Sequence, residues 1–429
     1  MASPGRATPL LLGLVAAAAC GDPASSDEGD SSGTGSASTA SGSPTSASAS
    51  DPSAATQASG DTTGAPGTTA GDDAEGSATL DDGGSSTGGE PLPPDPCIAA
   101  NTCPPGEWIN VTPPELAALD FGAGPIVVDP GHPSDLYMGG GGDGIWKSTD
   151  YGNTWSKIND TIGYVPMGLI IAVAGTEPAT VWVAGYNVVY RSTDGGATFE
   201  TIPAELPAEL YSIVVDPYDD THLISGLHEA DGIVESDDGG LTWQIVGGAG
   251  FPGGGKSWYP FFLDTGDATT TRGSWFAIPQ DDGSATITRD GGATWTVPSG
   301  IDGLLHPHGN AQIFQQGDTI FAGGLGDPGG GVYRSTDFGD SFTRVLEGNV
   351  GIVWGSPSRV YSMWAWACSG CDLGASFSAA ALPGDDWSMP AVPEALIIGA
   401  NHIAVTSDGT HQIFVGTMWS SGVWRYVEE

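Results

Sequence analysis

The chain has 429 residues, with 52 Asp and Glu against 11 Lys and Arg, and a formal net charge of −41 at pH 7. A surface of that sign lacks the basic stripe that releases counterions from phosphates. Nucleic acid is therefore excluded as a partner and polyanionic polymers are disfavoured, while neutral glycans, proteins and cations stay open. No segment carries a helical period of useful length, so a helical fold is excluded as well.

Residues 1–19 read as a signal peptide, with Arg6 as their one charge and an apolar run from Leu10 to Ala19 that ends in small residues. The run is about half as long as a membrane span requires. Ala17-Ala18-Ala19-Cys20-Gly21 resembles a bacterial lipoprotein signal, with Ala17 where Leu is usual. That resemblance implies cleavage before Cys20 and a lipid on it, so that contact with a membrane runs through the anchor only. An ordinary signal peptide with an incidental Cys is the alternative. Residues 20–103 are dominated by Ser, Thr, Gly, Ala, Pro and Asp, and the first aromatic residue of the chain is Trp108. Such a composition buries too little apolar surface to offset its ordering entropy, which makes this stretch a disordered stalk. Four further cysteines, in an exported chain, read as disulfides. Local pairs, Cys97–Cys103 and Cys368–Cys371, are the simplest of the three connectivities.

Residues 104–429 are written in repeats. STDYGNTW at Ser148–Trp155 returns as STDGGATF at Ser192–Phe199, SDDGGLTW at Ser236–Trp243, TRDGGATW at Thr288–Trp295 and STDFGDSF at Ser335–Phe342. The motif aspartates Asp150, Asp194, Asp238, Asp290 and Asp337 recur at roughly 45–50-residue intervals, a period that means one supersecondary unit per repeat. Short β-rich runs precede each motif, such as PIVVD, DLYMGG and GIWKS before Asp150, and SIVVD, HLISG and GIVES before Asp238. The run opening at the motif's Trp or Phe makes a fourth strand, and four-stranded units repeated radially make a β-propeller. In the turn between third and fourth strands the Asp can accept backbone N–H bonds. The Gly two residues on can take positive φ, and the aromatic ring can pack between blades. Lys147, Arg191, Arg289, Arg334 and Arg425 recur at the end of the third strand and read as structural.

These motifs resemble the Asp-box of the BNR-repeat propellers, a superfamily that includes sialidases, xyloglucan hydrolases, sortilin-type receptors and photosystem assembly factors. The resemblance implies an all-β fold and, because the box lies away from the active face in that superfamily, it assigns no function. After Phe342 the pattern continues without a box. GIVW, RVYSMW and DDWSMP make a sixth unit, and NHIAV, QIFVG and GVWRY make three strands of a seventh. EWINVTP at Glu107–Pro113 looks like the missing fourth strand. The expectation is a seven-bladed β-propeller over residues 104–429, closed by its N-terminal strand and monomeric, since closure removes free sheet edges.

Ligand sites belong to the face carrying the second-to-third connections and the loops leading into each inner strand. In blades 3 to 5 those loops carry His228 and Glu229, then Lys256, Trp258 and Tyr259, then Asp281 and Asp282, then His306 and His308. The sharp reading is a catalytic set of His228, Glu229, Asp281 and Asp282 beside a divalent metal on His306 and His308, with Lys256, Trp258 and Tyr259 holding ligand. His306-x-His308 with nearby Gln312 is similar to the metal site of propeller-type oligogalacturonate lyases. The plainer reading is a set of polar loops and a rigid His-Pro-His turn. Tyr186, Trp364, Trp366 and Trp419 are further candidates for binding sugar rings or side chains, or else for packing the channel. Acid-rich Asp216–Asp220 is a weaker candidate for Ca²⁺.

The sialidase Arg-Ile-Pro signature is absent, and an arginine triad for a sialic acid carboxylate has too few bases to draw on. The xyloglucan hydrolases use two propellers with a cleft between them, whereas this chain holds one. Three functions follow in order: a lipid-anchored module in the cell envelope that binds an extracellular glycan or protein; a glycan-cleaving hydrolase or lyase; and a periplasmic assembly factor.

Overall fold

The computed structural model describes residues 92–118, 123–140, 144–162, 171–185, 188–203, 206–247, 251–252, 254–281, 283–301, 303–306, 311–325, 329–348, 350–363, 377–396, 399–418 and 421–429. They build seven antiparallel sheets in chain order, the blades of a β-propeller. Blade 1 runs through Ala123–Asp129, His132–Gly140, Ile145–Ser148 and Ser156–Asn159. Blade 3 runs through Val214–Asp216, Asp219–Gly226, Ile233–Ser236 and Gln244–Gly247. Blade 4 holds Lys256–Phe262, Trp275–Asp281 and Thr286–Thr288, and a lone bridge from Ile287 to Thr296 stands for its fourth strand. The sixth unit forms its blade without a motif, from Ile352–Gly355 to Trp387–Ser388.

Closure follows the sequence expectation. Trp108–Asn110 pairs antiparallel with Gly422–Val427, Trp108 opposite Tyr426 and Asn110 opposite Trp424, so the N-terminal strand is the outer strand of blade 7. The joint is sealed by rings. Trp108 lies 5.1 Å from Tyr426 and 5.6 Å from Phe377, and Tyr361 stacks on Phe377 at 5.7 Å. Similar layers fill the other seams, as where Tyr137 and Ile145 of blade 1 meet Val181, Trp182 and Val189 of blade 2.

The five motif turns share one hydrogen-bond pattern. In the first, Ser148 Oγ donates to Asp150 Oδ1 at 2.8 Å and accepts from the Gly152 N–H at 2.8 Å. Asp150 accepts from the Thr154 N–H at 2.8 Å and its hydroxyl at 2.6 Å. Two successive residues take positive φ, Tyr151 (59°) and Gly152 (78°), which turns the chain back into the fourth strand. The sixth unit has lost the Ser and Asp but keeps the last element: Trp387 Nε1 donates to Gly384 O at 3.0 Å, as Trp155 does to Gly152 O at 3.1 Å.

The recurrent third-strand cations reach across seams to those turns. Arg191 donates to Gly239 O, Arg289 to Phe338 O, Arg334 to Pro383 O and Arg425 to Tyr151 O, each the carbonyl before the turn's Gly in the next blade. In blade 1 Tyr137 Oη makes the equivalent bond to Gly195 O at 3.0 Å, under Lys147.

One boundary is corrected. The packed body already includes Asp95, ahead of the boundary expected at residue 104. Asp95 caps the short helix Pro96–Ala99 and pairs with Arg425, both side chains wholly buried. Cys97 and Cys103 are joined by a disulfide packed against Val427. Sequence composition hid this because the segment is short and shares the Pro- and Asp-containing, aromatic-free composition of the residues before it. Cys20, Cys368 and Cys371 lie outside the described residues.

Candidate functional site

The second strand of blade 3 ends at Gly226 and the third begins at Ile233, and the loop between them carries His228 and Glu229. The loop is fastened from two sides. The His228 N–H donates to Glu209 O at 2.9 Å, and its Nδ1 lies 3.2 Å from Glu209 Oε2. The imidazole stacks on Tyr211 with centroids 4.6 Å apart, and Tyr211 Oη donates to Gln280 Oε1 at 2.6 Å. A carboxylate on Nδ1 fixes the ring's orientation.

Glu229 is exposed and has φ +49°, and its N–H donates to Ser257 Oγ at 3.0 Å. Ser257 is itself at φ +54° and wholly buried. Its carbonyl accepts from His306 Nε2 at 2.8 Å. Two hydrogen-bonded non-glycine residues in the left-handed region are uncommon, and backbone strain of this kind gathers at functional sites.

The structure thus brings His228, Glu229 and His306 into one sector, with Lys256 exposed at the head of the inner strand opposite Asp281. It separates others from solvent. Trp258 and Tyr259 sit inside the strand Lys256–Phe262 and are wholly buried, Trp258 against Phe251 and Tyr259 against His306 at 4.3 Å. They are core residues rather than sugar platforms, because that strand starts earlier than the loop expected from sequence. His306 is buried, and its Nε2 is committed to the Ser257 carbonyl. Among the described residues, His228, Glu229 and His306 do not form a group with converging ligand atoms. Asp282, His308, Tyr186, Trp364, Trp366 and Trp419 lie outside the described residues. Sequence reading missed Glu209, Tyr211, Ser257 and Gln280. Glu209 and Tyr211 lead into an inner strand, the loop class already expected to carry ligands, and that position was the signal available. Gln312 spans from blade 5 to blade 7: its Nε2 donates to Ile403 O at 2.9 Å and its Oε1 accepts from the Ile403 N–H at 3.2 Å.

No protein-family profile matches the chain. Over 135 residues it is 30% identical to a xyloglucanase of a Paenibacillus species, a match covering 22% of this chain and 13% of that protein. Among solved structures, the GH74 xyloglucanase of Xanthomonas campestris superposes with a TM-score of 0.56 at 17% identity, over 74% of this chain and 53% of that one. YCF48 bound to D1 peptide superposes at 0.53 with 15% identity, over 75% of this chain and 97% of that one. The fold resembles the xyloglucanase propellers. The chain spans about half of the solved xyloglucanase and nearly all of the smaller protein.

Proposed function

We propose that the chain is an exported, lipid-anchored propeller that binds a neutral extracellular glycan through the loop face of blades 3 to 5. The observation that carries the site is the strained Glu229–Ser257 contact beside the Glu209–His228 pair. An exposed carboxylate, a held imidazole and the exposed Lys256 make a polar edge suited to sugar hydroxyls. The partial likeness to xyloglucanases favours a glycan over a protein ligand, and the acidic surface argues for a neutral one. Export and the anchor rest on residues 1–20 of the sequence.

Retardation of the full chain in gels containing xyloglucan or other β-glucans tests this reading. We expect retardation by a neutral glycan, weakened about tenfold, roughly 1.4 kcal/mol, in His228→Ala and in Glu229→Ala. Equal mobility of parent and variants across the glycan panel would sink the reading. New reducing ends in the same mixtures, lost in Glu229→Gln, would instead establish glycan cleavage. Glu229 is the exposed carboxylate held in strained backbone, which is why cleavage is the second reading.

A further inference from the structure

Blade 3 reverses a charge pair that blade 1 writes in the ordinary sense. In blade 1, Lys147 precedes the motif Ser148 and pairs at 2.8 Å with Asp135, which precedes Leu136. The register of blade 3 places Glu235 before Ser236 and His222 before Leu223, so the cation's position is acidic and the acid's position is an imidazole. The third seam consequently lacks the cation that blades 2, 4, 5 and 7 extend to the next turn.

His222 is wholly buried, enclosed by Phe262 and Trp275 of blade 4. Its Nδ1 lies 2.8 Å from Asp216 Oδ2, also buried, and its Nε2 lies 2.9 Å from Glu235 Oε1. A carboxylate can only accept, so Nδ1 carries a proton. In a neutral ring Nε2 would then aim a lone pair at a carboxylate lone pair, and a positive charge has to lie between them. Asp237 stands at the open side, and the ligand atoms of His222, Glu235 and Asp237 all lie within 4.8 Å of one another. Four carboxylates, Asp216, Asp219, Glu235 and Asp237, surround this ring, and the cation paired with them is Arg272 of blade 4, through Asp219 and Asp237. Gln244 Nε2 holds the other oxygen of Glu235 at 3.2 Å, which keeps Oε1 turned to the ring.

We propose that this seam binds a divalent transition metal of the zinc class, with His222 Nε2 and the carboxylates of Glu235 and Asp237 as ligands. Asp216 is the partner that fixes the ring through Nδ1, an arrangement common behind metal-bound histidines. Asp237 can turn to the ion because Arg272 keeps Asp219. Its exposure leaves a coordination position for water, and the ion would supply the positive charge that blades 2, 4, 5 and 7 supply with an arginine. The site lies at the opposite end of the strand Asp219–Gly226 from His228, so it is separate from the proposed glycan face.

The competing occupant is a proton on Nε2, and metal content separates the two. The full chain is stripped with a chelator, incubated with Zn²⁺ alone, desalted and analysed for metal. We expect about one zinc per chain, a melting temperature raised by zinc, and at least about tenfold weaker retention in Glu235→Gln. Asp237→Asn, at an exposed position that folding tolerates, should weaken retention too. His306→Gln should retain the ion. Absence of zinc from the folded parent would overturn the proposal in favour of the imidazolium. Undiminished zinc in both carboxylate variants, or its loss in His306→Gln, would overturn it in favour of another site.

Discussion

His402 is enclosed in the inner strand of blade 7, and neither ring nitrogen has a hydrogen-bond partner among the described residues. Burial alone lowers its pKa to about 3. The unfolded chain takes up a proton near pH 6.5, whereas the folded chain resists until about pH 3. Stability is therefore lost as pH falls through that window, at up to about 1.4 kcal/mol per pH unit. His402→Leu should flatten the pH dependence of the denaturation midpoint between 6.5 and 4; an unchanged slope would assign the loss elsewhere. The motif aspartates act lower. Hydrogen bonds from Thr198 and Ser192 hold Asp194 down to about 2, and Asp238, Asp290 and Asp337 are lowered as well. Their contribution is complete above the ordinary carboxylate pKa and is lost as pH falls toward 2, so the leucine variant should keep that later acid transition.

At the scale of the element, the motif turn is both a local hairpin and a seam contact, and two glycines separate these roles. At Gly152 (φ +78°) an added Cβ would lie 2.6 Å from Val415 of blade 7. At Gly291 (φ +66°) nothing lies within 4 Å. Gly291→Ala should cost only the left-handed backbone penalty, about 1–2 kcal/mol. Gly152→Ala adds overpacking of about 1–3 kcal/mol, read as a lower midpoint in chemical denaturation. Equal losses would mean that the seam gives way at no cost. The turn's internal bonds were legible because Ser, Asp, Gly and Thr recur at fixed offsets. The cross-seam reach of Arg191, Arg289, Arg334 and Arg425 was legible only as recurrence, since the acceptor is a backbone carbonyl in the next blade and has no sequence signature. Blade 3 shows the converse. Glu235 and His222 read as ordinary members of GIVES and HLISG until register showed that they occupy the positions of Lys147 and Asp135 in blade 1.

On the scale of the whole molecule, the number of blades and the closing strand followed from counting runs, because Trp108–Asn110 repeats the pattern of a fourth strand. The site was legible as a sector and less so as a set of residues. Loop position grouped His228, Glu229 and His306 in one candidate sector, but burial decides what a ring can touch, and Trp258 and Tyr259 are buried away from the face. The fastening beneath the closing strand was hidden in stalk-like composition, and it carries the clearest global prediction. Asp95 and Arg425 are wholly buried as a pair, and Arg425 Nε also donates to Tyr151 O in blade 1, while Tyr151 Oη donates back to Pro93 O at 2.7 Å. These contacts tie the N-terminal segment, the last blade and the first into one joint. Asp95→Ala strands a buried guanidinium and should cost about 3–5 kcal/mol. Arg425→Met in the same chain removes the stranded charge, so the double variant should recover more than half of that loss despite giving up the Tyr151 contact. Midpoints and slopes from guanidinium unfolding of the parent, both single variants and the double variant close the cycle. Losses that simply add would show that the two charges do not hold each other and that ring closure rests on Trp108 and its aromatic neighbours alone.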